Sequence, residues 1–125
     1  MTLHTLSSGS QGNCLLLSDG DTHILVDAGI STRRIKAGLA QLGLTMDQLD
    51  GILITHEHTD HISGLATLIK HHSIPLYASP GTARQLAYRL AGVEPLLRPR
   101  EPGSQFEVGQ CLVTAFETSH DAAQS

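Results

Sequence analysis

Four side chains that commonly bind metal ions lie within six consecutive residues of this sequence: His56, His58, Asp60 and His61. Imidazole and carboxylate ligands together suit Zn²⁺, with Mn²⁺ or Fe as alternative occupants. Two metal ions side by side would polarise a substrate oxygen and lower the pKa of a bridging water, which is the chemistry of metal-assisted hydrolysis. The competing interpretation is a solvated histidine-rich loop that holds no metal.

The sequence on either side of this cluster predicts a strand before it and a helix after it. Residues 51–54 form a short apolar run that is typical of a buried strand. Apolar residues then recur three or four positions apart, as on the inner face of a helix; they are Ile62, Leu65, Leu68 and Ile69. Sites in α/β proteins lie where strands end and helices begin, so this context favours the metal interpretation over the solvated loop.

Three segments resemble motifs of the metallo-β-lactamase superfamily of metallohydrolases. Residues 55–64, which contain the HxHxDH pattern, resemble its signature, residues 25–29 its first motif and residues 118–121 its third. The serine- and glycine-rich segment 7–14 resembles the YycJ-like branch, whose members are associated with cleavage of nucleic-acid phosphodiesters. The resemblance extends over essentially all 125 residues but covers only the first half of the family's domain.

The resemblance implies roles for the metal-binding residues. His56, His58 and His120 would hold one metal ion, since three imidazoles make a competent Zn²⁺ site with an open position for water. Asp60 and His61 would belong to a second site. Asp60 would also orient the attacking water and is the candidate catalytic residue.

The resemblance also implies two supporting positions. By itself, Asp27 at the end of a predicted strand would be interpreted as a turn former or a helix N-cap. In the family the matching aspartate supports the metal loop by hydrogen bonding and is not a ligand. The loop at residues 7–13 would line the mouth of the site, with Ser10 and Asn13 as the candidate substrate contacts.

The fold class predicted for the whole chain is α/β, with a mixed β-sheet carrying helices on its outer face. The resemblance identifies this arrangement as the N-terminal half of an αββα sandwich. Strands are predicted at residues 2–6, 14–17, 22–26, 51–54, 75–78, 105–108 and 111–116. Helices are predicted after Ser31, after the metal motif and from Pro80, and residues 94–103 are predicted to be an extended loop.

The domain expectation has physical consequences. We expect residues 1–125 to be the N-terminal part of a metallo-β-lactamase domain whose C-terminal half is absent, together with later ligands of the second metal. The inner sheet face would then expose an apolar patch, which favours association into a homodimer. The isolated chain is accordingly expected to be poorly active or inactive.

Composition and charge narrow the remaining possibilities. Forty per cent hydrophobic and 16% charged residues are ordinary for one globular domain. The net charge of −4 gives no general attraction to nucleic acid. Arg98 and Arg100 are candidates for contact with an anionic substrate, and ordinary surface charge is the default interpretation. Cys14 and Cys111 are expected to be buried, reduced thiols.

With no secretory signal and no apolar run long enough for a membrane helix, we expect a cytoplasmic protein.

The function predicted from these observations is a metal-dependent hydrolase, a phosphodiesterase or nuclease that attacks nucleic acid through a metal-activated water. One alternative is a thioester hydrolase similar to glyoxalase II. The other is a metal-binding module without catalysis. A catalyst would lose its activity on chelation, whereas a binding module has no activity to lose.

Overall fold

A six-stranded mixed sheet organises the chain, and a separate two-stranded hairpin packs against it. The computed structural model describes residues 1–9, 12–56 and 59–115, with residues 59 and 60 described by their backbone alone. The strands are β1 Thr2–Ser7, β2 Cys14–Asp19, β3 Thr22–Val26, β4 Gly51–Leu53, β5 Leu76–Ala78, β6 Leu97–Pro99, β7 Gln105–Val108 and β8 Cys111–Thr114. The helices are α1 Thr32–Gln41, α2 Thr59–Ile62, α3 Leu65–His71 and α4 Pro80–Arg89, with 3₁₀ turns at Met46–Gln48 and Glu94–Leu96.

The sheet follows the order β1 to β6 and changes once, at β3, from antiparallel to parallel pairing. The strands β1, β2 and β3 are antiparallel neighbours, whereas β3, β4, β5 and β6 run parallel to one another. Parallel neighbours need crossover connections, and helices supply these between β3 and β4, between β4 and β5, and between β5 and β6. The carboxyl ends of four strands therefore meet at one edge of the sheet.

Helices pack against one face of this sheet. Leu16, Leu25, Ile52 and Leu76 are successive partners across the strands, and none of them is exposed to solvent. They share one core with helical residues; these are Ile35, Leu39, Leu65, Leu68, Ala83 and Leu86. Burying each large aliphatic side chain stabilises the fold by about 1.5–3 kcal/mol, so this layer is the main hydrophobic core.

The opposite, inner face carries a smaller core under the hairpin of β7 and β8. Val108 and Cys111 of the hairpin bury Ile24 of β3, and the Gln110 amide donates to the Thr22 hydroxyl at 2.7 Å. The expectation that this face has no partner is therefore partly wrong. The β1 end is still open, where Leu3 is 60% exposed. Homodimerisation through the inner face stays a prediction.

Most predicted elements are confirmed, and helices α1 and α4 both begin with a serine cap. Ser31 accepts a hydrogen bond from the Arg34 amide at the start of α1, and Ser79 caps α4, which begins with Pro80. These caps satisfy backbone amides that have no partner inside the helix.

No helix in the described parts of the chain has the length and apolar character needed to cross a bilayer.

Two segments differ from the sequence-based prediction. Residues 97–99, expected in a loop, form the edge strand β6, where Pro99 is tolerated because an edge strand need not donate from every position. The helix expected after the metal motif is divided into α2 and α3 around Ser63 and Gly64. At this division the backbone of Gly64 comes so close to Ile30 that a side chain there would overlap the Ile30 carbonyl oxygen.

Both cysteines are buried free thiols, as predicted. Burial raises the pKa of Cys14 to about 12, and the neighbouring negative charge of Asp27 adds to this, partly offset by Arg34. An unfolded thiol titrates near 9.0, so the folded state keeps a proton that the unfolded state loses between these values. The contribution of Cys14 to stability is therefore present below pH 9 and falls as the pH rises through that window.

We predict that Cys14 resists alkylation in the folded protein. At pH 8 with excess iodoacetamide, the Cys14 peptide should be unmodified in the native chain and fully modified in 8 M urea, because the buried thiol neither ionises nor meets the reagent. Peptide mass spectrometry measures both states. Equal rates of modification in native and unfolded protein would contradict the buried, protonated state.

Candidate metal centre

The centre is built around Asp27, the residue that follows β3. Its backbone is left-handed, with φ 64°, a conformation that aspartate tolerates better than most residues. The Asp27 amide donates to the Leu53 carbonyl oxygen at 2.7 Å, which joins the end of β3 to the end of β4. The residue is only 4% exposed. A buried carboxylate must find hydrogen-bond donors, and the next loop provides them.

Three donors from the loop after β4 and from α2 reach the Asp27 carboxylate. The Thr55 amide donates to Oδ1 at 2.8 Å and the Thr55 hydroxyl donates to Oδ2 at 2.6 Å. His61 Nδ1 lies 2.7 Å from the same Oδ2. Because an ionised carboxylate only accepts, His61 must carry its proton on Nδ1.

Thr55 extends the same constraint to His56. The Thr55 hydroxyl has one proton, which it donates to Asp27. The hydroxyl oxygen also lies 3.0 Å from His56 Nδ1, and in this second hydrogen bond it must be the acceptor. His56 therefore also carries a proton on Nδ1, and in both rings the nitrogen that would bind a metal is Nε2. The two rings lie close together, with centroids 4.7 Å apart and planes inclined by 45°.

Backbone contacts hold His61 in place from the other side. The Ala28 amide donates to the His61 carbonyl oxygen, and the Gly64 amide donates to the Ala28 carbonyl oxygen, each at 2.8 Å. The Ser63 hydroxyl donates to the Gly29 carbonyl oxygen at 2.5 Å. Residues 28–29 after β3 are therefore joined by hydrogen bonds to residues 61–64 at the turn between α2 and α3. We call these two segments together the clamp.

The structure brings together some of the predicted site residues and does not describe others. Asp27, His56 and His61 lie together, as just described. His58 and His120 lie outside the described residues, and so do Ser10 and the side chain of Asp60. Within the described residues no group of three or more His, Cys, Asp or Glu side chains is placed to hold a metal. The complete ligand set and the catalytic role of Asp60 stay predictions.

Asn13 shapes its own loop. The side-chain oxygen of Asn13 accepts from the Gly9 amide at 3.2 Å, and its nitrogen donates to the Gly9 carbonyl oxygen at 3.3 Å. Its backbone carbonyl accepts from the Gly29 amide at 2.9 Å, which attaches the loop to the clamp. The predicted contact of Asn13 with substrate is not tested by these bonds and stays a prediction.

Sequence reasoning missed the part played by Thr55. The only signal was a hydroxyl residue directly before the first histidine of the motif, and threonine is common in such positions for many reasons. Its function as a link between Asp27 and His56 becomes visible only when β3 and β4 are paired, since 28 positions separate Asp27 from Thr55.

Comparison with known proteins gives the class to which this fold and site belong. Residues 8–120 match the Metallo-beta-lactamase superfamily, and the chain belongs to that superfamily. Family membership implies a site for a divalent metal ion. In fold, the Rm3 metallo-beta-lactamase superposes with a TM-score of 0.77 at 28% identity, over 97% of this chain and 50% of that protein. The metallo-beta-lactamase SMB-1 superposes with a TM-score of 0.79 at 22% identity and supports the fold alone.

Within the superfamily, the chain is similar to two bacterial nucleases. It is 36% identical to exodeoxyribonuclease YycJ of Bacillus anthracis, over 99% of this chain and 48% of YycJ. It is 38% identical to exodeoxyribonuclease WalJ of Streptococcus pneumoniae serotype 2, over 94% of this chain and 45% of WalJ. The chain thus spans about half the length of the curated relatives it matches.

The described residues fit a metal of the kind that the superfamily binds. Histidine ligands in metal sites usually donate their second ring N–H to a carboxylate, a carbonyl or another fixed acceptor. His61 does this to Asp27 directly, and His56 does it to Thr55. Both imidazoles are therefore held in the tautomer that a metal bound through Nε2 requires.

We predict that, when valine replaces Thr55, His56 is no longer held in the tautomer that carries its proton on Nδ1. Valine keeps the size of threonine but removes the acceptor of the Nδ1 proton, so the ring should populate the Nε2–H form. Long-range ¹H–¹⁵N spectra of the metal-free chain report this directly, and zinc affinity should fall about 10- to 100-fold. Thr55→Ser keeps the hydroxyl and serves as the matched control. An unchanged His56 tautomer in Thr55→Val would disprove the link.

We also predict that Gly64→Ala disrupts the close packing between the two segments of the clamp. The added methyl group would overlap the Ile30 carbonyl oxygen, and backbone cannot move aside as a flexible side chain can. Such overpacking should lower the free energy of unfolding by about 1–3 kcal/mol in urea denaturation. Gly38→Ala is the control, because its methyl group meets only the flexible end of Leu6 and alanine favours helix α1. Equal effects of the two substitutions would argue against the clamp.

Proposed function

We propose that this protein provides the metal-binding part of a phosphodiesterase that cleaves nucleic acid, with an exonuclease-type activity. The observation that carries the proposal is the hydrogen-bonded set of Asp27, Thr55, His56 and His61, which prepares two imidazoles at the carboxyl edge of the sheet. Its similarity to YycJ and WalJ, both named exodeoxyribonucleases, supports the choice of a DNA phosphodiester as substrate.

Zinc is the metal that we propose, as one or two ions. Imidazole-rich ligand sets favour zinc, and His56, His58 and His120 would hold the first ion while Asp60 and His61 would contribute to the second. The bound metal would supply an activated water and would stabilise negative charge on the phosphate.

The residues of the chain have distinct tasks in this proposal. Asp27 keeps the Nδ1 protons of both imidazoles in place, directly at His61 and through the Thr55 hydroxyl at His56. Asp60 accepts a hydrogen bond from the attacking water and orients it towards phosphorus. Because Asp27 and Thr55 fix His56 and His61 before substrate arrives, these two imidazoles need little reorganisation during the reaction.

Metal binding and hydrolysis test the proposal together. Zinc titration of the metal-free chain, with elemental analysis of the product, should show about one or two ions per chain. His56→Ala should weaken zinc binding by at least about 100-fold, since losing a ligand costs more than losing a supporting hydrogen bond. A 5′-labelled single-stranded DNA and bis(p-nitrophenyl) phosphate then report hydrolysis, which should be weak because the chain spans about half the length of its relatives, and which EDTA should abolish and zinc restore.

His71→Ala is the matched control, because His71 is exposed at the end of α3. This variant should bind zinc as the parent chain does. Zinc binding that is indifferent to His56, or hydrolysis that survives chelation, would contradict the proposal. Tight zinc binding without hydrolysis of either substrate would instead favour a metal-binding module, and cleavage of a thioester alone would favour the thioesterase alternative.

A further inference from the structure

A recess of about 170 Å³ opens beside the metal loop, at the same carboxyl edge of the sheet. The ends of β4, β5 and β8 and the residue after β6 border it. Thr55 is part of its wall, and the hydroxyl of the same residue connects Asp27 to His56. A ligand in this recess would therefore lie next to the candidate metal centre.

Arg100 gives the recess its charge. Among the described residues of the wall it is the only charged one, and the others are apolar, aromatic or hydroxyl-bearing. The guanidinium carbon lies 5.5 Å from the ring centre of Tyr77 and 5.3 Å from that of Phe106, and these two rings stack with centres 5.0 Å apart. Cation–π contact with both rings holds the guanidinium at the recess and limits its freedom to turn towards solvent.

The guanidinium retains donors for a ligand. One of its five N–H groups donates to the Pro99 carbonyl oxygen at 2.9 Å. In the part of the chain that the structure describes, no carboxylate forms an ion pair with Arg100. An arginine that is held by aromatic rings and has no acidic partner among the described residues is well suited to bind an anion, because its planar fork matches phosphate oxygens.

Arg98, which lies in β6 two positions before Arg100, provides a contrast. Its guanidinium donates to the carbonyl oxygens of Pro95 at 2.9 Å and Leu97 at 3.0 Å, and it does not line the recess. Both arginines carry one positive charge and lie two positions apart. They differ in that only Arg100 faces the recess beside the metal loop.

We propose that this recess binds a phosphate group of a nucleotide, adjacent to the phosphodiester at the metal centre. Arg100 binds the phosphate oxygens, and the Ser79 hydroxyl, which accepts from the Thr82 amide, donates its proton to them. A cavity of about 150 Å³ holds a benzene-sized molecule, so this recess accepts a phosphate with part of its sugar and not a whole nucleoside. This assignment rests on the proposed function and extends it to substrate positioning.

The probe for this site is thymidine 3′,5′-bisphosphate, titrated into the 125-residue chain and followed by NMR. Signals of Tyr77, Phe106 and the Arg100 side chain should shift. Arg100→Ala should weaken binding about tenfold or more, the loss expected for charge-assisted hydrogen bonds. Arg98→Ala should stay within about twofold of the parent chain. This control removes the same charge two positions away in the sequence.

Arg100→Met separates packing from charge, because it keeps an apolar stem over the rings and removes only the guanidinium. It should lose as much affinity as Arg100→Ala. The proposal is overturned if the parent chain does not bind the bisphosphate, if Arg100→Met binds as the parent does, or if both arginine sites lose affinity equally. Inorganic phosphate that binds as tightly as the bisphosphate would overturn the assignment to a nucleotide.

The two proposals can fail separately. Zinc binding and its dependence on His56 do not involve Arg100. If chelator-sensitive hydrolysis is found and Arg100→Met binds the bisphosphate as tightly as the parent chain does, the proposed function stands and the recess assignment fails. If bisphosphate binding depends on Arg100 while zinc binding ignores His56, the recess stands as a nucleotide site and the proposed function fails.

Discussion

The buried carboxylate of Asp27 is the constraint on which the site depends. A charge removed from water must be surrounded by donors, and here Thr55 and His61 supply them at 2.6–2.8 Å. The left-handed backbone of Asp27 places the carboxylate at the turn after β3, and its amide is fixed to β4. Satisfying one charge therefore sets the strand ends, the loop and the orientation of two imidazoles together.

The two faces of the sheet divide structural from functional tasks. One face is sealed by helices around Leu25 and Ile52 and supplies most of the hydrophobic stabilisation. The other face carries the hairpin, whose Phe106 stacks on Tyr77 and helps to hold Arg100 at the recess. Both the recess and the metal loop lie at the carboxyl edge, which is where open α/β sheets place their ligands. The rigid layer thus supports a site made from loop residues.

Local patterns in the sequence predicted much of this fold. Short apolar runs predicted β2 and β3, helical apolar spacing predicted α1 and α4, and the histidine spacing pointed to the loop of the candidate metal centre. The strand β6 was missed because Pro99 is a strong local signal for a loop, and only its edge position makes a strand acceptable. The difference between Arg98 and Arg100 could not be predicted, because it depends on where the hairpin packs.

The long sequence distance within the centre has a thermodynamic consequence. Asp27 lies 28 positions from Thr55 and 34 from His61, and α1 intervenes between them. Asp27 and Thr55 can fix the Nδ1 protons of the two histidine rings only after β4 has paired with β3. The unfolded chain therefore has no prepared metal site. A metal that prefers the prepared imidazoles would bind the folded chain preferentially. Its binding energy would then add to the stability of the sheet by mass action, making the ion a part of the fold's own energetics.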